Sequence, residues 1–67
     1  DMSNRIPVLL VYSKDAEPRM AQLPIIPRVG DELKSFGAPA HKVHRVVIYL
    51  DGGYPRVYLY PDNEIRG

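Results

Sequence analysis

Proline stands at positions 7, 18, 24, 27, 39, 55 and 61, and the longest interval between prolines runs only from Ala40 to Tyr54. Inside a helix, proline removes a backbone donor and its ring clashes with the preceding turn, so a chain punctuated this way cannot build long helices. Its apolar residues also recur with period two rather than 3.6. The sequence therefore predicts an all-β fold with short turns. At most one short helical turn is expected, at Pro18 to Gln22, because proline is tolerated at the first helical position.

Sixty-seven residues suffice for one small domain. A chain of that size buries only about 60% of the surface its unfolded form exposes, so the core must be thin. Cysteine is absent, which excludes disulfides and thiolate metal sites. Self-association remains as the reinforcement that small scaffolds usually need. The expected domain covers residues 6–67. Residues 1–5 read as a disordered N-terminal remnant, with Asp1 preceding a natural start at Met2.

Nine Lys/Arg against eight Asp/Glu give a formal charge of +1, a balance that favours neither an acidic partner nor a membrane surface. The apolar run Val8 to Tyr12, which no other run exceeds, is far shorter than the ~20 residues a helical membrane span requires. With no pattern of a secretory signal, a cytoplasmic protein is the expectation.

Pro7 to Tyr12 reads as a first strand whose apolar residues fall on both faces, as in the middle of a barrel. Ser13 to Gln22 reads as a polar loop, and Leu23 to Ile26 as a short extended piece. "PRVGDEL", Pro27 to Leu33, reads as a turn at Gly30 feeding a second strand, with Val29 and Leu33 in the core. Phe36 to Pro39 is another turn. His41 to Leu50 is the longest strand candidate, and Pro55 to Tyr60 answers it. Asp62 to Glu64 should form a closing turn before Ile65 returns to the core.

Gly52-Gly53 is a hairpin signal, because primed turns need the positive φ that glycine accepts. A hairpin centred there, or equally one with a four-residue loop from Asp51 to Tyr54, pairs Leu50 with Pro55, Ile48 with Val57 and Val46 with Leu59 on an apolar face. The opposite face then pairs Tyr49 with Arg56, Val47 with Tyr58 and Arg45 with Tyr60. A one-residue slip would mix the two sets. Val43 and Val46 are three apart, which breaks the alternation, and a β-bulge at His44-Arg45 restores it and bends the strand. Five strands with a bulge and short turns predict a small five-stranded SH3-like barrel.

The second face carries the candidate partner-binding residues, Arg45, Tyr49, Arg56, Tyr58 and Tyr60. Tyr and Arg are enriched in interface hot spots because each joins a large contact area to a hydrogen-bonding end. The same residues also have a purely structural use, since aromatic cross-strand pairs stabilise a sheet by ~0.2–1 kcal/mol each. The expected partner is another protein or further copies of this chain, as a dimer or higher oligomer. Single-stranded nucleic acid is the second expectation, because aromatics interleaved with Arg form stacking platforms on small barrels. Against it stands the near-neutral charge, since phosphate tracking wants surplus Lys/Arg.

No catalytic set emerges. Ser13 and Ser35 lack a His/Asp frame for a nucleophile. Asp31 and Glu32 are adjacent, so on a strand they diverge. His41 and His44 point to opposite faces of a strand and have no evident third ligand, so no metal is expected. Neither is a cofactor.

"PRVGDELKSFGAPAHKVHRVVIYLDGG" resembles small uncharacterised bacterial and phage proteins that share a Pro-x-Val-Gly-Asp segment, a variable turn and a Val-x-x-Val strand. The likeness covers roughly Ile26 to Leu59 and implies an SH3-like barrel without implying an activity. "VGDELKS" followed by "VYLYP" is also similar to the plasmid-borne, trimethoprim-insensitive dihydrofolate reductase family, tetramers of SH3-like barrels with a Val-Gln-Ile-Tyr-Pro stretch lining a shared pore. Val57, Leu59, Tyr60 and Pro61 match in kind. Tyr58 replaces the ligand-binding glutamine, and Lys34 lies one place from the functional lysine, where Ser35 sits. The missing glutamine argues against reductase activity. What this likeness implies is a barrel that travels on mobile elements and associates through its last strand.

Overall fold

The computed structural model describes residues 4–61. Its strands are β1 (Ile6–Val11), β2 (Arg19–Leu23), β3 (Glu32–Leu33), β4 (His41–Lys42), β5 (Arg45–Val47) and β6 (Arg56–Tyr58). The fold is all-β, with no α-helix among the described residues. A four-stranded sheet has the order β2-β1-β6-β5, and β3 pairs with β4 in a second, two-stranded sheet.

β1 is the hub. It pairs antiparallel with β2, Val8 opposite Ala21, and parallel with β6, Leu10 opposite Val57. The Leu9 N–H donates to the Pro55 carbonyl at 2.8 Å, and the Val11 carbonyl accepts from the Leu59 N–H at 2.9 Å. Odd-numbered residues of β1 thus address β6, while even-numbered ones address β2. Pro7 falls in the odd set, ahead of the first bond to β6, so its missing N–H costs no ladder hydrogen bond.

Both faces of β1 are used, as its composition predicted. Val8 and Leu10 join Val43, Val57 and Leu59 in the core, with Ile6, Ala21, Leu23, Leu33 and Val46 packed around them. Val11 is also buried, on the opposite face beside Tyr58.

The expected strand from His41 to Leu50 is two strands in two sheets. Val43 exchanges hydrogen bonds with the β3 side, donating to the Asp31 carbonyl and accepting from the Gly30 N–H, at 2.8 and 2.9 Å. One residue later, the His44 N–H donates to the Tyr58 carbonyl of β6 at 2.8 Å. The chain therefore changes sheets between Val43 and His44, the way packed sheets make their corners. Arg45 is the Cα partner of Tyr58, so His44 and Arg45 together face one residue, the arrangement of a β-bulge at the expected position.

Several expectations need correction. Ser13 to Gln22 is not wholly a loop and carries no helical turn, because Arg19 to Gln22 pair with β1. An exposed polar stretch is recruited into strand by an edge that locally weak β propensity does not reveal. Val29 is exposed, since the Arg28–Asp31 turn lifts it away while Gly30 takes φ +99°. That turn is held by the Asp31 carboxylate accepting from the Arg28 N–H at 2.9 Å. The two sheets do not close into a five-stranded barrel: among the described residues, no ladder joins β2 to β3. The expected turn at Asp62 to Glu64 and the return of Ile65 lie outside the described residues, as do the first three positions of the expected disordered remnant.

The β5–β6 register differs from expectation by two residues. Val46 sits opposite Val57, Val47 opposite Arg56 and Arg45 opposite Tyr58. The glycine pair still adopts positive φ, +105° at Gly52 and +97° at Gly53, but inside a connection that begins at Ile48 and ends at Pro55. The corner bond at His44 anchors β5 to β6 from the far end, and the turn accommodates it. Ile48 and Leu50, expected in the core, are consequently exposed, Leu50 almost fully at 98%. A slip of two preserves every residue's face, because side chains alternate with period two.

Candidate functional site

The outward face of the four-stranded sheet is assembled from Arg56 and Tyr58 on β6, Arg45 and Val47 on β5, and Leu9 and Val11 on β1. The Arg45 guanidinium lies over the Tyr58 ring, 5.6 Å from its centroid. That is within cation–π range, worth about 0.5–1 kcal/mol at an exposed site. Tyr58 in turn meets Tyr60 edge to face, with centroids 5.9 Å apart and planes at 68°. This geometry suits the quadrupoles of two aromatic rings.

Of the five predicted site residues, Arg45, Tyr58 and Tyr60 therefore form one stack. Arg56 shares their face through its pairing with Leu9 and Val47. Tyr49 does not join them. The register shift carries it past the end of β5 into the connecting loop, where it is 45% exposed. Arg45 meets Tyr58 rather than the expected Tyr60, and Val47 meets Arg56 rather than Tyr58.

Tyr60 is only 8% exposed, so it is the buried foundation of the stack and not its contact surface. What the face presents outward is Arg45 and the half-buried Tyr58 and Arg56. Beyond the ends of β5 and β6 the loop exposes Ile48, Tyr49, Leu50 and Tyr54. Large apolar groups gathered in this way mark an interaction site more often than scattered single ones do.

A second feature escaped the sequence reading. Where β2 and β3 remain unpaired, a cleft of about 590 Å³ opens between the two sheets. Leu10, Ala21, Leu23 and Leu33 contribute its apolar lining, and Arg5, Lys34 and His41 its basic groups. The basic side chains are partly occupied. The Arg5 Nη1 donates to the Gln22 carbonyl at 3.2 Å, and the Lys34 Nζ donates to the Ala38 carbonyl at 2.6 Å. His41 packs against Tyr12 edge to face, 5.0 Å between centroids. Only the pairing of distant strands creates this cleft, so no local motif could have announced it.

His41 lies in β4 and His44 at the sheet corner, and among the described residues no three His, Asp or Glu side chains gather as a metal site would need. No helix among the described residues is long and apolar enough to cross a membrane. Comparison with protein-family models, curated proteins and solved structures found no match to this chain.

Proposed function

We propose that this chain is a non-catalytic, cytoplasmic binding module that recognises another protein, or its own copies, through the Arg45/Tyr58 face and the adjoining loop. One observation carries the reading: the Arg45–Tyr58–Tyr60 stack lies at one end of the β5–β6 pair, and beyond Val47 and Arg56 at its other end the connecting loop exposes Ile48, Tyr49, Leu50 and Tyr54. Tyr60 gives the surface a rigid base. A preordered aromatic and an arginine lose little freedom on docking, which is how a few side chains come to dominate an interface. Membership of an SH3-like barrel family of bacterial, phage or mobile-element origin belongs to the same proposal. Its support is the Ile26–Leu59 resemblance and the sheet corner at the bulge.

The test compares the wild-type chain with a variant carrying Arg45→Ala and Tyr58→Ala, using tagged protein and quantitative identification of co-purified partners. The face should lose its partner, while Glu32→Ala on the second sheet retains it. An identical partner set for all three proteins would defeat the proposal. A titration with short single-stranded oligonucleotides at two salt concentrations examines the nucleic-acid alternative. Binding that falls steeply with salt would replace a protein partner with a phosphate backbone.

A further inference from the structure

We infer that the outer edge of β2, unpaired among the described residues, pairs antiparallel with β2 of a second copy, about a two-fold axis at Ala21, and joins the two four-stranded sheets into one. This lies on the opposite edge of the sheet from the Arg45/Tyr58 face and stands apart from it.

The direction of the backbone groups carries the argument. Leu9 and Val11 turn their N–H and C=O toward β6, so Val8 and Leu10 turn theirs toward β2. Their partners Ala21 and Arg19 complete those bonds, which leaves Met20 and Gln22 facing away from β1. The contact of Arg5 with the Gln22 carbonyl independently reports that this group points outward. A carbonyl accepts two hydrogen bonds, so Arg5 leaves room for another donor. Among the described residues, the Met20 N–H and C=O and the Gln22 N–H have no partner.

The prolines select the register. Pro18 and Pro24 fence β2 on both sides. Sliding the two copies by one repeat in either direction sets a proline, which has no donor and a ring in the way, opposite Gln22 or Met20 of the other copy. Centring the pair on Ala21 sets Met20 against Gln22 of the other copy, twice over. Every outward donor and acceptor of both residues is then used, and the prolines face only each other outside the ladder. Arg19 falls opposite Leu23 of the second copy, so no like charges meet. Ala21 and Leu23 already line the apolar cleft, and Met20 and Ile25 are exposed beside the edge, so the pairing covers apolar surface as well as backbone. A second copy fits better than an arbitrary peptide because the strand is complementary to itself in this one register.

The chain has no cysteine, which makes a single introduced thiol diagnostic. In a non-hydrogen-bonded antiparallel pair, opposed Cα atoms lie ~4.5 Å apart, inside the range of a disulfide. Ala21→Cys should therefore give a covalent dimer within minutes of mild oxidation at micromolar concentration. Met20→Cys should not, because its own copy sits ~8 Å away along the strands. Gln22→Pro removes only an outward donor and keeps the ladder with β1. It should return the protein to monomer by sedimentation equilibrium with an unchanged far-ultraviolet circular dichroism spectrum. A wild-type chain that stays monomeric up to millimolar concentration would overturn the inference, as would Ala21→Cys cross-linking no faster than Ser35→Cys. A dimer that survives Gln22→Pro but dissociates with Tyr58→Ala would transfer self-association to the other face, so the two proposals fail separately.

Discussion

Val57 and Leu50 both belong to the apolar set of the expected hairpin, yet only Val57 is buried, at 0% exposure against 98% for Leu50. Truncating each to alanine separates the observed register from the expected one. Val57→Ala removes about two methylene equivalents, or ~1.6 kcal/mol of transfer free energy. Val8, Leu10, Val43 and Leu59 surround the site from several strands and cannot all collapse into the gap. A residual void of roughly 30 Å³ adds about 0.7 kcal/mol at ~24 cal/mol per Å³. The total, about 2 kcal/mol, is a large share of the roughly 3–10 kcal/mol that a chain of this length holds. It should lower the melting temperature by about 8–16 °C, at ~4–8 °C per kcal/mol for a small domain. Leu50→Ala should stay within ~0.5 kcal/mol of wild type, as surface substitutions do. Were Leu50 in the core, the same truncation would cost about 2–5 kcal/mol. Urea unfolding followed by tyrosine fluorescence and circular dichroism measures both. A Leu50→Ala loss equal to that of Val57→Ala would refute the two-residue shift.

Three further outcomes are expected. A double-mutant cycle on Arg45→Ala and Tyr58→Phe or Tyr58→Ala should show coupling of about 0.5–1 kcal/mol to the ring and little dependence on the phenol hydroxyl; zero coupling in thermal unfolding would remove the cation–π contact. Gly30→Ala should destabilise by about 1–2 kcal/mol from backbone strain alone. Its φ is +99° and nothing lies within 4 Å of an added Cβ, so a wild-type melting temperature would contradict that turn. Phe36→Ser should leave unfolding unchanged within ~0.5 kcal/mol while raising solubility by light scattering, since Phe36 is fully exposed beside the Gly37 turn; a large stability loss would mean that Phe36 is packed.

The Tyr/Arg face was partly legible in the sequence. Arg45, Arg56 and Tyr58 share a face in both the expected and the observed register, because a two-residue slip leaves parity intact. Tyr49 was lost from the group for the same reason: parity says which side a residue faces but not whether the strand extends that far. Tyr60 has the expected neighbour, Tyr58, but its burial, at 8% exposure, was not legible in an alternation that placed it on the outer face.

The sequence by itself determined what local chemistry controls. Spaced prolines excluded long helices, period-two alternation divided inner from outer side chains, and Gly30, Gly37, Gly52 and Gly53 marked the positions that take positive φ. Tertiary structure decided which strands meet. The parallel union of β1 with β6 joins residues far apart in the chain, and neither the recruitment of Arg19–Leu23 as an edge strand nor the open seam beside β3 is written in any one segment. Strand pairing is a contest among remote backbones for the same hydrogen bonds and the same apolar cover. Here the contest turned on the corner at Val43-His44, where Val43 bonds to the two-stranded sheet and the next residue, His44, to the four-stranded one.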